Sequence, residues 1–351
     1  IMSVLDSSGN GKFKDYLTDL NTKFLSGIRY DFLVNNLGKK LFGSATFVGE
    51  NVLAENEFFV FSYIPPKKGV EKGINLFHVG GMIPYSDNVF RLLPEVNFFL
   101  PFINQGIGIY EMKIKGDINT NPDLAKLTYQ KVIEDVHYFS DMAFEHNGKK
   151  RMILEGYCGL GMPAIVSFVS DVENMKKKFG VVTVFVAPID GRRCGRLANF
   201  INTTPDTILY GSLLLAELKK EPVPAKQTGM GIDLVTRSTF DKTQLGKFIK
   251  GWKQGKYAKA EKIEDLDPIM RMDLAGTYWI SPDAAARFPM AVDVNRNINA
   301  IFIKGVDKNG KIPIKFKGKE LSLTDFKKTD VKVVAFYGED DPMIDYHSGE
   351  I

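Results

Sequence analysis

"RMILEGYCGLG", residues 151–161, is the stretch on which the reading of this chain turns. A mostly apolar run ends at Cys158, with glycines at 156, 159 and 161. A turn that carries a strand straight into a helix leaves no room for side chains two positions before and two after its tip. Gly156 meets the first condition; Leu160 stands at the second, between Gly159 and Gly161. The spacing therefore predicts a strand over 151–157, a tight turn presenting Cys158, and a helix from Met162 to about Lys178. Such a helix would aim its amino terminus at the sulfur and lower the thiol pKa. Its first amides, beginning with Gly159, would be placed to hold an oxyanion. The same residues also read as an inert core thiol, because free cysteine is among the most buried residue types.

Working outward, residues 12–40 have a helical period, and "SATFVGE" (44–50) with "EFFVFSYI" (57–64) reads as a strand hairpin. "GINLFHVGG" (73–81) and "GIGIYEM" (106–112) read as strands, and 122–146 as a long helix. "GVVTVFVAP" (180–188) and "VKVVAFY" (331–337) complete the strand set. Apolar strands alternating with helices predict an α/β fold, a mostly parallel sheet flanked by helices. Residues 201–320 break this rhythm with helical and lysine-rich segments. They are expected to form a helix-rich cap inserted into a core made of 1–200 and 321–351.

Two further strand ends carry chemistry. "FHVGGM" (77–82) ends a strand where hydrolase sheets supply a second oxyanion amide, here from Val79 or Gly80. "AFYGEDDPMI" (335–344) ends another with Gly338 and then Asp341, the position of a triad acid. The order nucleophile, acid, histidine is that of the α/β-hydrolase fold. His347 is the one histidine after Asp341 and thus the candidate base, although only six residues separate them.

These segments resemble the polyhydroxyalkanoate synthase family, which uses a cysteine in a lipase-like box. The likeness lies in "GYC" after a strand, in "KELSLTDFKKTDVKVVAFYGEDDPMI" (319–344), and in "SPDAAARF" (281–288) leading to "NINAIFIKG" (297–305). The related intracellular depolymerases are similar at Pro163, five residues after Cys158, at "APIDGRR" (187–193) and at "MDLAGTYWI" (272–280). The resemblance implies that a 3-hydroxyacyl-coenzyme A is joined to a growing polyester through Cys158, with no resident cofactor. In the depolymerase reading the same residues pass the acyl group to water. A third possibility is a non-catalytic scaffold or granule-associated protein that keeps the sheet. Leu160 and the distance expected between acid and histidine motivate it.

Composition is that of a globular protein, with 44% apolar and 25% charged residues among 351. No apolar run approaches a membrane span and no signal-peptide pattern opens the chain, so the expectation is a cytoplasmic protein, at polymer granules by the resemblance. The two cysteines, Cys158 and Cys194, lack disulfide or metal-ligand spacing and are expected to be free thiols. The net charge of +4 and the lysine clusters at 242–262 and 304–328 read as solvated faces, not as a nucleic-acid site. An acyl thioester or polyester is the expected partner, and a homo-oligomer or a partner subunit is compatible with it. His78 borders the expected oxyanion loop, either contacting substrate or packing as a structural histidine. Arg192 and Arg193 suit a coenzyme A phosphate, or pair with Asp190 to hold their loop.

Overall fold

The computed structural model describes residues 7–80, 87–116, 121–224, 243–280, 289–341 and 343–350. Its main elements are α1 (Ser7–Leu33), β1 (Asn51–Glu55), β2 (Phe59–Ile64), β3 (Ile74–Val79), β4 (Ile107–Ile114), α2 (Tyr129–His146) and β5 (Met152–Tyr157). There follow α3 (Gly161–Ser170), α4 (Val172–Lys178), β6 (Phe179–Phe185), α5 (Gly195–Thr203), α6 (Asp206–Lys219) and α7 (Gln244–Gln254). The chain continues through α8 (Pro268–Ile280), α9 (Val292–Lys304), β7 (Lys311–Phe316), β8 (Lys319–Ser322) and β9 (Lys332–Phe336).

Contacts divide the chain into two compact units. One comprises Thr46–Asp87, Phe98–Thr236 and Ala285–Ile351 and contains every strand. The other comprises Ile1–Ala45, Asn88–Asn97 and Arg237–Ala284. This differs from the division read from the sequence, which put 1–200 with 321–351 and made 201–320 one cap. The middle of the expected cap groups instead with the amino-terminal helix, while its flanks stay with the sheet. The physical reason at one flank is close packing: a Cβ on Gly191 would stand 2.6 Å from the Ile301 carbonyl oxygen of α9.

In the sheet-bearing unit seven strands lie in the order β1-β2-β4-β3-β5-β6-β9. β2 is antiparallel to both β1 and β4, and the remaining pairs are parallel. This is the strand order of the α/β-hydrolase fold. Parallel strands covered on both faces must be apolar throughout, and β3 to β5 are almost wholly buried. On the face under α2, Phe61, Phe77, Tyr110 and Phe139 form an aromatic layer in which the Phe61 and Phe139 rings stack at 4.9 Å. Such a pair contributes about 1 kcal/mol beyond its burial.

Several boundaries differ from the sequence reading. Residues 44–50 are not a strand; Gly49 turns with φ +79 and β1 starts after it. The helix expected over 162–178 is two, because Asp171 leaves helical geometry and its carboxylate caps α4 through the Asn174 amide at 3.3 Å. α2 begins at Tyr129, where Thr128 accepts the Lys131 amide at 3.1 Å. The hairpin of β7 and β8 was not anticipated.

The other unit is built on α1, α7 and α8. Glycines let helices approach: a Cβ on Gly27 would stand 2.8 Å from the Phe248 ring, and one on Gly251 would stand 2.5 Å from Tyr30 Cβ. Asp273 accepts from Tyr30 (2.8 Å) and Tyr257 (2.6 Å) and pairs with Lys250 (2.5 Å). Lys247 is buried and pairs with Asp31 at 2.6 Å. Part of the lysine cluster at 242–262 therefore serves the interior of this unit, where the sequence reading put a solvated face. Among the described residues no helix is long and apolar enough to cross a membrane.

Candidate active site

The register of the parallel strands decides what meets at their carboxyl ends. Val79 of β3 lies opposite Gly156 of β5, Tyr157 opposite Phe185 of β6, and Phe185 opposite Phe336 of β9. The residues just past β3, β5 and β9, namely Gly80, Cys158 and the loop holding Asp341, therefore leave the same edge of the sheet. Cys158 and Asp341 are separated by one strand, and the Asp341 charge acts on the Cys158 thiol.

Cys158 is the tip of a strained turn. Its φ of +52 lies in the left-handed region, which side chains other than glycine's enter at a cost of about 1–3 kcal/mol. Behind it, a Cβ on Gly156 would stand 2.5 Å from the Leu160 carbonyl oxygen and 2.8 Å from Gly161 Cα. The second crowded position is Gly161, where a Cβ would collide with Ala187; Gly159 has open space. Leu160 is accommodated because residues 158–160 form a 3-10 turn that carries its side chain into the core. The requirement for a small residue has thus moved one position along the chain. Val186, following β6, also has positive φ (+46), uncommon for a β-branched residue, and it stands level with Cys158 across the β5–β6 pair.

The electrostatics differ from the sequence expectation. Burial pushes the half-buried Cys158 thiol up to about 11; the neighbouring Gly159 amide opposes this, and the Asp341 carboxylate adds to it. Desolvation outweighs the Gly159 amide, which favours the thiol over the thiolate anticipated. Cys194 is fully buried in a cluster with Ala198, Ile201, Phe302 and Ile344, and burial raises it to about 12. Both cysteines are free. The expected labelling behaviour follows. At pH 8 a thiol of pKa near 11 is ionised roughly a hundredfold less than an ordinary cysteine. Iodoacetamide should modify Cys158 slowly and Cys194 more slowly still, with the Cys158 rate rising about tenfold per pH unit between 7 and 10. Site-resolved peptide mass measurement checks this; a rate level above pH 7 would show an activated thiolate instead.

Asp341 Oδ1 accepts the amides of Met343 (2.8 Å) and Ile344 (3.2 Å), which hold the carboxylate in its loop. His347 turns to Asp345, its Nδ1 at 2.5 Å, and stacks on Tyr346; Cys158 and Asp341 are not its partners. His137 pairs with Ser170 and His146 with Tyr110. Val79 is buried, and a Cβ on Gly80 would collide with the Met112 carbonyl, so that backbone passes close by β4. Gly81 and Met82, which complete the expected oxyanion loop, lie outside the described residues, as do 281–288.

His78 is fully buried and its Nδ1 pairs with Glu155, on the next strand at the same level. This is the structural alternative for His78, since no surface remains for substrate. Burial alone would lower its pKa, but the carboxylates of Glu155, Glu111 and Asp87 outweigh burial and hold it above the ordinary value. Arg192 is likewise engaged structurally, with Asp190 at 3.2 Å and the Val306 carbonyl. Arg193 grips Glu350 through its backbone oxygen (2.6 Å) and carboxylate (3.0 Å). Neither arginine is left without a protein partner. Glu155 was missed by the sequence reading. Its signal was present: a carboxylate inside an apolar strand needs a buried partner, and His78 is the matching exception in β3. Tyr157 was also passed over; it is half-buried beside Cys158, and burial first and the Asp341 carboxylate after it raise its hydroxyl pKa.

No protein-family model matches the chain, and no curated protein matches it either. Similarity to solved structures is found. Monoglyceride lipase from Saccharomyces cerevisiae is 11% identical, covering 88% of this chain and 82% of its own, with a TM-score of 0.46. Epoxide hydrolases of the α/β-hydrolase superfamily from hot-environment metagenomes give 13% identity, 87% and 86% coverage and a TM-score of 0.39. A probable hydrolytic enzyme from Pseudomonas aeruginosa PAO1 gives 11%, 85% and 76%, and 0.39. These are likenesses of fold alone, and the α/β-hydrolase assignment rests on the strand order.

Proposed function

We propose that the chain is an acyl-transfer enzyme in which Cys158 takes the acyl group from a thioester or ester. The observation that carries this is the strained Cys158 turn, held by the crowded Gly156 and Gly161, with Asp341 leaving the same sheet edge. A packing cysteine needs neither a left-handed backbone nor a helix held at its back by two glycines. With a 3-hydroxyacyl-coenzyme A, the Cys158 sulfur bonds to the carbonyl carbon as the carbon–sulfur bond to coenzyme A breaks. The thiol proton leaves on the coenzyme A sulfur, so the exchange balances as thiol for thiol. The acyl group then passes to a polyester hydroxyl in a synthase or to water in a depolymerase. The amides of Gly159 and of the Val79–Gly80 backbone stabilise the oxyanion. His347 would serve as base only after exchanging its Asp345 partner for one at this edge.

The raised thiol favours a second reading, a non-catalytic α/β-hydrolase-like scaffold. Incubation with a 3-hydroxyacyl-coenzyme A, following free thiol release and the mass of the Cys158 peptide, separates the two. The enzyme reading expects release with an acyl adduct on that peptide, both lost in Cys158→Ala and kept in Cys194→Ala. Cys158-dependent cleavage of simple esters without thioester turnover would select the hydrolase. No adduct and no turnover in folded protein would leave the scaffold.

A further inference from the structure

Helices α6 and α9 of the sheet-bearing unit line a cavity of about 530 Å³. It follows α6 from Thr207 to Glu217, about 15 Å at the rise of a helix, and Arg296 of α9 stands in its wall. The rest of the wall is mostly apolar, with Tyr210, Leu213 and Leu214 beside the backbone of Gly211. Leu213 is buried with Ala216, Val223 and Val292 and so fixes α6, whereas Leu214 is exposed. Small-molecule sites usually enclose about 300–1,000 Å³ of apolar lining with a few placed polar groups, and this cavity matches that description.

Two features indicate what it takes. Gly211 lies in the middle of α6, where glycine destabilises a helix relative to alanine. A Cβ built there has no atom within 4 Å, so packing does not account for the glycine. Its missing side chain leaves room for an apolar chain to lie against the helix backbone. The second feature is Arg296. Its Nη2 donates to Glu217 Oε2 at 2.7 Å, while among the described residues Nε and Nη1 have no protein partner. Both members of the pair are about half exposed, and such pairs are weak. A guanidinium that gives one donor to Glu217 keeps an edge for a second carboxylate.

We propose that the cavity between α6 and α9 binds a long-chain carboxylate, its chain laid along α6 over Gly211 and its carboxylate on Arg296. A lipid surface is a poorer match, because it is met by a protruding apolar face bordered by several cations, and here a single guanidinium stands in the wall of a concavity. None of the lining residues belongs to the Cys158 turn or the Asp341 loop. The site is therefore independent of the acyl-transfer reading, and Cys158→Ala should bind the ligand as the wild type does.

Titration calorimetry on the whole chain tests this, with decanoate and uncharged 1-decanol as probes below the concentration at which either aggregates. One decanoate should bind per chain, about tenfold or more tighter than 1-decanol, as a charged hydrogen bond provides. Gly211→Leu fills the slot and should weaken both probes by about tenfold or more, with circular dichroism unchanged. Arg296→Gln should bring decanoate down to the affinity of 1-decanol and leave 1-decanol unaltered. Glu217→Gln should tighten decanoate, since it removes the carboxylate that shares the guanidinium; a pair serving only the fold would not move affinity in that direction. Folded wild type that binds no decanoate overturns the proposal, as does binding that Gly211→Leu leaves unchanged. Equal affinity for the two probes, untouched by Arg296→Gln, overturns the role of the carboxylate and with it the proposal. Sedimentation with phosphatidylcholine vesicles that is lost in Leu214→Glu, without decanoate binding, would show a lipid surface as the occupant instead.

Discussion

His78→Leu should lower the unfolding free energy by about 3–5 kcal/mol, the usual consequence of removing one member of a buried ion pair. The imidazole and the Glu155 carboxylate are both fully buried and hold each other across β3 and β5. Without the ring, the carboxylate keeps its desolvation penalty and loses its partner. His78→Leu/Glu155→Leu should recover part of the loss, since Glu155 is no longer left without its partner while Glu111 and Asp87 still lose the imidazole. Urea midpoints of the wild type, both single variants and the double variant measure the coupling; a double variant that merely sums the singles would show that the pair is not a unit. The pair also imposes a pH dependence. The native pKa of His78 is raised above 6.5, so its stabilisation is complete below that value and is lost as pH climbs through the native value. The urea midpoint should fall as pH is taken upward from 6, and this slope should vanish in the double variant.

Gly156→Val should cost about 3 kcal/mol or more and at the same time displace Cys158. The three atoms nearest a Cβ at Gly156, at 2.5 to 2.9 Å, are all backbone of Leu160 and Gly161, so relief requires moving the start of α3 itself. Overpacking against flexible side chains typically costs about 1–3 kcal/mol, and a wall of backbone has less freedom to yield. Gly159→Ala is the control, having no atom within 4 Å of the added methyl group, and should change stability by less than about 1 kcal/mol. Urea midpoints together with the Cys158 alkylation rate would show both effects. A Gly156→Val protein of unchanged stability and labelling would mean that the turn is not crowded as described.

The apolar runs around 73–81, 106–112 and 151–157 were legible as sheet strands because a strand buried on both faces has no other composition available to it, whereas 180–188 and the exposed 331–337 were legible from their β-branched and aromatic residues. The turn at Cys158 was legible for a similarly local reason, since crowding at a strand-to-helix turn restricts residue size at fixed offsets. Where the reading slipped, the deciding contact was distant in sequence. Leu160 looked like a defect in the turn because the 3-10 geometry that buries it, and the Ala187 methyl that makes Gly161 the crowded position, belong to other parts of the fold. The same holds for Arg193 and Lys247, whose partners Glu350 and Asp31 are brought to them by chain turns that composition does not reveal, whereas the pairing of Arg192 with its neighbour Asp190 was one of the two alternatives read from the sequence.

By itself, the sequence determined the class of fold, the strand that carries Cys158 and the placement of Asp341 after a strand, because periodicity and steric offsets act over a few residues. Tertiary structure alone decided the state of the thiol, the pairing of His78 with Glu155 and the grouping of residues 1–45 with 237–284. Each depends on what surrounds a group in space: the Gly159 amide lowers the Cys158 thiol pKa, yet desolvation by the assembled strands and helices is the larger effect and raises it.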